Sequence, residues 1–390
     1  MSDKKNKTLK PGWRRVKFGD VVRLSKTRSQ APLTDGFDRF VGLEHLESGD
    51  LRIRSWGNVA DGVTFTSVFQ PGQVLFGKRR AYQRKVAVAD FAGVCSGDIY
   101  VLETKDAQVL LPELLPFICQ TDAFFDYAVG TSAGSLSPRT NWTSLTDFEF
   151  SLAPLEAQAS LVDVLQAIEC TCESHQKVGG LADQLVRSLL ADVLSREWPV
   201  VDLGSVVQGT QYGLSINAGS DGQYPMLRMM NIEDGLCVEN DIKYVDLNDK
   251  DFEVYRLVHG DVLFNRTNSY ELVGRTGVYE LEGDHVFASY LVRIKTNPEK
   301  LEPKFLTLYL NSDFGRRQVL AYATKAVSQA NVNASNLLRV RLTLPPLEVQ
   351  QQLLDEIANA KSVEKAAKVR RSTAEGMKTQ LLAEIAGGAE

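Results

Sequence analysis

No stretch of this 390-residue chain approaches the roughly 20 consecutive apolar residues of a membrane-crossing helix. The opening Met-Ser-Asp-Lys-Lys-Asn-Lys is polar and lacks an apolar core, so no secretory leader is expected. Cysteine is scarce: Cys95, Cys119, Cys170, Cys172 and Cys237 are odd in number and not paired in spacing. That weighs against a disulfide framework or a zinc site, and a reducing cytoplasm is the expected setting. The four histidines, His45, His175, His259 and His285, are scattered, with no metal-type pair. Neither a Gly-x-Gly-x-x-Gly run nor a Cys-x-x-Cys pair occurs. The run Gly72 to Arg79 imitates a phosphate-binding loop, but no Ser or Thr follows Lys78 to hold magnesium, and an expected strand falls inside it. No catalytic or metal constellation is expected, which favours recognition over catalysis.

Net charge is −5, which speaks against a global nucleic-acid footprint. The distribution is uneven: residues 1–154 carry 20 Lys/Arg against 17 Asp/Glu, whereas residues 155–196 carry 3 against 6. A DNA-binding surface would therefore be local.

What the chain does contain, it contains twice. Residues 152–158 read Leu-Ala-Pro-Leu-Glu-Ala-Gln and residues 344–350 read Leu-Pro-Pro-Leu-Glu-Val-Gln, at an offset of 192. Trp13 matches Trp198 at offset 185, Pro71-Gly72 matches His259-Gly260 at 188, and Asn141 matches Asn333 at 192. A repeat this long means two similar domains, each followed by a long helix. The reading is a 1–12 polar tail, a first domain over 13–154, a helix over 155–196, a second domain over 197–346 and a helix over 347–390.

The first helix has a heptad seam: Leu161, Leu165, Ile168, Cys172, His175, Gly179, Ala182, Val186, Leu189 and Val193 alternate in steps of four and three. Gly179-Gly180 is its weak point and implies either a kink or a close partner helix. The second helix offers Leu353, Ile357, Ala360, Ala367, Ala374, Leu381 and Ile385. Pairing the two antiparallel buries both seams; the alternative is two separate helices, each on its own domain. The fold class is then α+β, with two tandem similar domains separated by two long helices that pair as an antiparallel coiled coil.

Strands are expected at 74–76, 86–88, 99–102, 148–150, 262–264, 277–279, 290–294 and 340–342, with helices over 112–128 and 303–322. Two polar segments follow equivalent strands. The first supplies Lys78, Arg79, Arg80, Tyr82, Arg84 and Lys85; the second supplies Arg266, Asn268, Ser269, Tyr270 and Arg275. Arginine and lysine suit phosphates and guanine, asparagine suits adenine, and hydroxyls add contacts. The bland alternative is a pair of solvated hairpins. Later loops add Arg139, and Ser328 with Gln329, as candidate DNA contacts, while Asn141 and Asn333 read better as helix caps.

In order and duplication these features resemble the specificity subunit of Type I restriction–modification systems. The resemblance covers nearly the whole chain. It rests on the twin helix starts Pro154–Gln158 and Pro346–Gln350, on Trp13 and Trp198, and on the Val-Leu-Phe strands leading into Lys78–Lys85 and Arg266–Arg275. It implies two target recognition domains, each reading half of a bipartite double-stranded DNA site. It implies paired helices that act as a ruler and dock two methyltransferase subunits, with restriction (motor-nuclease) subunits as further partners. S-adenosylmethionine, ATP and Mg2+ would belong to those partners, leaving this chain non-catalytic and without a cofactor. Neither Gly179-Gly180 nor the acidic balance is explained by the resemblance. The competing readings are a protein-binding scaffold and a nuclease with dispersed carboxylates.

Overall fold

The computed structural model describes residues 9–325 and 329–387. The chain divides into two compact units: Met1–Val178 with Ala366–Glu390, and Gly179–Lys365. Each unit holds one repeat and one half of each long helix.

In the first unit, strands Val22–Leu24, Ile99–Thr104, Val74–Gly77 and Val86–Val88 lie side by side, all antiparallel. Val74, Leu75 and Phe76 are fully buried, as befits a central strand covered on both faces. A second four-stranded sheet orders Gly57–Asn58, Arg39–Val41, Gly93–Cys95 and Ser67–Phe69, its middle pair parallel. Arg14–Lys17 pairs with Glu149–Leu152 and ties the start of the domain to its end. Phe18, Phe76, Phe124, Phe148 and Phe150 share one core with Val162, Leu165 and Ile385 from the long helices.

The second unit repeats this plan. Val207–Tyr212, Leu291–Thr296, Val262–Asn265 and Thr276–Val278 occupy the same order, extended by Leu236–Cys237 and Ile232–Glu233. Val200–Asp202 pairs with Arg341–Thr343 as its counterpart does in the first unit. Leu190 and Val193 of the central helix share a core with Leu353 and Ile357 of the C-terminal helix. The repeated Gly72 and Gly260 sit at φ 85° and 88°, a left-handed turn ahead of the buried strand that glycine enters without a steric penalty.

The long helices run Leu155–Ser195 and Leu347–Gly387. Every seam residue expected from the heptads is buried or half-buried. Within the first unit the helices meet antiparallel: Glu169 pairs with Lys378, Cys172 lies against the Arg371 carbonyl, and Leu165 shares its core with Ile385. Within the second unit, Val193 and Leu190 share theirs with Leu353 and Ile357. Lys378, in the last third of the C-terminal helix, is neutralised across the seam by Glu169. The central helix runs unbroken through Gly179-Gly180, and a Cβ at either would meet nothing within 4 Å among the described residues, so close approach is not the reason for these glycines.

The sequence reading erred on the short helices. Each expected span is two helices, Leu115–Gln120 with Asp122–Gly130, and Pro303–Asn311 with Asp313–Ala321. The breaks fall at Thr121 and Ser312, whose hydroxyls accept the Phe124 and Gly315 N–H groups and cap the following helix.

The twin Pro-Leu-Glu-x-Gln motif has a structural cause. Gln158 is buried, donates to the Val109 and Ala153 carbonyls and accepts the Leu111 N–H. Gln350 does the same with the Lys300 and Pro345 carbonyls and the Glu302 N–H. One amide thus satisfies three backbone groups and locks each long helix to its domain.

Candidate nucleic-acid interface

In each unit the segment after the buried central strand is strapped to the late loop. In the first unit, Arg79 bridges Arg139, the Arg80 N–H donates to the Pro138 carbonyl at 2.7 Å, and the Thr140 N–H donates to the Lys78 carbonyl at 3.0 Å. In the second, Thr267–Asn268 pairs with Ala330–Asn331, which also pairs with Thr324–Lys325. The structure thereby brings together two pieces of chain that are about 60 residues apart in sequence.

The first-unit edge is cationic and centred on an acid. The Asp98 carboxylate accepts Arg139 Nε at 2.8 Å through Oδ1 and Arg79 NH1 at 3.1 Å through Oδ2. Arg79 also donates to Ser137 Oγ at 3.0 Å. Burial works against the Asp98 carboxylate, but the hydrogen bonds and charges of Arg139 and Arg79 outweigh it and hold its pKa below the ordinary value. Lys78 lies 4.6 Å from the centre of the Tyr100 ring. Burial pushes its ammonium below the ordinary lysine value; Asp98 opposes this, while Arg139 and Arg28 add to it. Beside it opens a cleft of about 510 Å³ lined by Ser25, Arg28, Thr66, Lys78 and Tyr100.

Not all expected cations are left without a partner in their own domain. Arg84 pairs with Asp122 and lies 4.7 Å from the Phe125 ring centre, and Lys85 donates to the Leu43 carbonyl at 2.7 Å. Both tie the segment to its own domain. Arg80 and Arg84 adopt left-handed backbone at φ 53° and 54°, flanking the short turn Ala81–Gln83 that carries the exposed Tyr82. For non-glycine residues such backbone is uncommon, and here the Arg80–Pro138 bond holds it on one side.

The second-unit edge is polar and aromatic. Arg266 lies 4.8 Å from the Tyr212 ring centre and points toward the Ser289 carbonyl and Asn331 Oδ1. Asn331 donates to Thr267 Oγ1 at 2.6 Å. Asn268 approaches the Met229 sulfur, and its Oδ1 accepts the Ser269 N–H at 2.8 Å. Tyr212, Met229, Tyr270 and Tyr290 are exposed. Arg275 is exposed in the turn that leads into Thr276–Val278. Gln329 is exposed beside Ala330–Asn331, and Ser328 lies outside the described residues. Asn141 and Asn333 are N-caps, accepting Ser144 and Asn336 N–H groups at 2.7 Å each.

Sequence reasoning missed Asp98, Arg28 and Arg316. Asp98 is the lone charge between Asp90 and Glu103, directly ahead of an expected strand, and that isolation was the available signal. Arg316 gathers the Tyr270, Glu271 and Val273 carbonyls and so shapes the second-unit loop. Among the described residues no group of His, Cys, Asp and Glu could hold a metal ion, and no helix is long and apolar enough to cross a membrane.

Comparison with known proteins follows the same lines. Residues 195–362 match the family described as Type I restriction modification DNA specificity domain. A type I restriction enzyme MjaX specificity subunit of Methanocaldococcus jannaschii is 32% identical over 164 residues, 41% of this chain and 38% of that protein. The chain thus matches less than half the length of its curated relatives. Two solved folds run along its whole length. One is a chain from a study of complex assembly and conformational transition of the type I R-M system, with a TM-score of 0.61, 19% identity, and coverage of 97% and 98% of the two chains. The other is a Type-I restriction-modification system S subunit from M. genitalium, with a TM-score of 0.61, 11% identity, and coverage of 99% and 98%. Over residues 195–362 the chain is thus similar to the DNA specificity domain of Type I restriction–modification systems.

Proposed function

We propose that this chain is the non-catalytic DNA-recognition subunit of a Type I complex, each unit reading one half of a bipartite double-stranded site. The observation that carries this reading is the duplicated edge: in both units a buried strand delivers an Arg-bearing segment that is strapped to a polar late loop. Phosphate contacts would fix register, and side chains at that edge would read bases. The long helices set the gap between half-sites. Apolar side chains left in solvent on them, Val164 and Met377 in the first unit, Leu181 and Leu185 in the second, suit docking of two methyltransferase subunits. Restriction subunits join the same complex. S-adenosylmethionine, ATP and Mg2+ serve in those partners, and the assembly works in the cytoplasm.

The test is single-molecule methylome sequencing of a host that expresses this chain with its methyltransferase. A two-part methylated motif with a fixed gap, lost when the chain is deleted, is the expected result. Inserting one heptad into the central helix should change the gap and leave both half-sites unaltered. A motif that keeps its gap refutes the ruler. Active methyltransferase with no motif dependent on this chain points to a protein-binding scaffold instead, a role that the net charge of −5 would also suit.

A further inference from the structure

The cations of the first-unit edge are not equivalent. Arg79 spends NH1 on Asp98 and NH2 on Ser137, so its guanidinium is committed within the domain. Arg139 spends only Nε, on Asp98 Oδ1 at 2.8 Å. Its two terminal nitrogens have no partner among the described residues, and about half of the side chain is exposed, 51%. The backbone beneath it is pinned on both sides: Arg139 and Ala133 exchange N–H to carbonyl bonds at 3.0 Å, and the neighbouring Pro138 and Thr140 bond Arg80 and Lys78. A guanidinium gripped through Nε by a carboxylate presents its remaining two nitrogens as a fixed planar fork.

We infer that Arg139 is the guanine-reading residue of the first unit, its fork taking guanine O6 and N7 in the major groove, with Asp98 as its positioning residue. This rests on the function proposed above and goes beyond it by naming the base and the reader. Two arguments select guanine over a backbone phosphate. Guanine offers two neutral acceptors side by side, which a fixed fork matches in parallel. A phosphate is anionic, and Asp98, shared between Arg139 and Arg79, offsets part of their charge at the root of the fork, which weakens the pull on a phosphate more than on neutral acceptors. A preformed fork also loses less freedom on binding than an untethered arginine. In the second unit the position equivalent to Asp98 is Tyr290 and that equivalent to Arg139 is Asn331, so the device belongs to the first half-site alone.

The test uses the assembled methyltransferase complex with Arg139→Ala, Arg139→Lys and Asp98→Asn. Readouts are the methylated motif and the binding of duplexes carrying 7-deazaguanine at each guanine of the first half-site. One guanine should lose its preference by roughly 5- to 150-fold in Arg139→Ala. At that same guanine 7-deazaguanine should weaken the unaltered complex but not the variant. Asp98→Asn should relax the same position while the second half-site stays intact, a change in base preference that mere loss of stability would not produce. Arg139→Lys keeps the charge but not the fork, and serves where alanine unfolds the loop. An unchanged motif in the variants overturns the inference, as does weakening that is uniform across all sequences, which would mark a phosphate contact. If the unaltered complex has no motif, the functional reading itself fails and takes this inference with it. A normal motif that ignores Arg139 sinks the inference alone.

Discussion

Removing the Gln158 amide should unlatch the central helix from the first unit. The side chain makes three hydrogen bonds with backbone groups, at 2.9, 2.9 and 2.8 Å, in a site closed to solvent. Three such bonds are worth about 3 kcal/mol net, and more where the orphaned carbonyls and N–H stay buried, so Gln158→Ala should cost about 3–5 kcal/mol. That is a large share of the roughly 5–15 kcal/mol that stabilises a domain. Gln350→Ala should cost the second unit a similar amount, because its bonds measure 2.9, 2.9 and 2.8 Å. Urea unfolding followed by tryptophan fluorescence can separate the two effects, since Trp13, Trp56 and Trp142 lie in the first unit and Trp198 lies in the second. Each variant should lower the midpoint of its own unit by about 1 M or more. The control is Gln351→Ala: among the described residues that exposed side chain bonds only to Asp355, and its loss should change stability by no more than about 0.5 kcal/mol. If Gln158→Ala and Gln350→Ala both cost less than about 1 kcal/mol, the three-bond latch is not what the repeated motif provides.

Two further outcomes follow from the same geometry. Asn141→Ala and Asn333→Ala each remove a 2.7 Å N-cap bond and should each cost about 1 kcal/mol in equilibrium unfolding; Asn→Asp at either position should recover most of it. The Asp98 carboxylate titrates below its ordinary value in the folded protein, so its contribution is fully present above the unfolded-state value of about 3.9 and is lost as pH falls through the folded one. The stability advantage of the unaltered chain over Asp98→Asn should therefore be full at pH 7 and shrink toward pH 3; a gap independent of pH would show that charge does not hold the cluster.

The scaffold was legible in the sequence because its signals are periodic or duplicated. Alternating steps of three and four gave every seam residue from Leu161 to Val193, and the seam survives charged positions such as Lys378 because Glu169 answers across it. The expected helix spans 112–128 and 303–322 are each divided at a polar triplet, Gln120-Thr121-Asp122 and Asn311-Ser312-Asp313, where the hydroxyl caps the second helix. The site was legible as composition but not as direction. Lys78 to Lys85 reads as one basic run, yet Arg84 and Lys85 are tied down by Asp122 and by the Leu43 carbonyl, partners 38 and 42 residues away. Asp98 stands out in the sequence only as an isolated charge, and its role in a basic edge appears once the fold sets it between Arg79 and Arg139.

The acidic chain and the basic edge are compatible because scaffold and edge answer to different requirements. The shared elements, the buried central strand, the glutamine latch and the capping asparagines, are set by burial and backbone satisfaction, and both copies retain them. Neither requirement touches the rim of the sheet, where Lys78 stands for Arg266, Asp98 for Tyr290 and Arg139 for Asn331. One rim is an ion cluster gripping a free fork; the other is an arginine laid on Tyr212 among amides and exposed aromatics. A surface built from a charged fork and one built from amides and rings favour different base edges. On the proposed function, two copies of one fold can thus face two unlike sequences, and the net charge of −5 is no obstacle, because the readout would lie in a few fixed side chains whose local field the distant carboxylates barely reach.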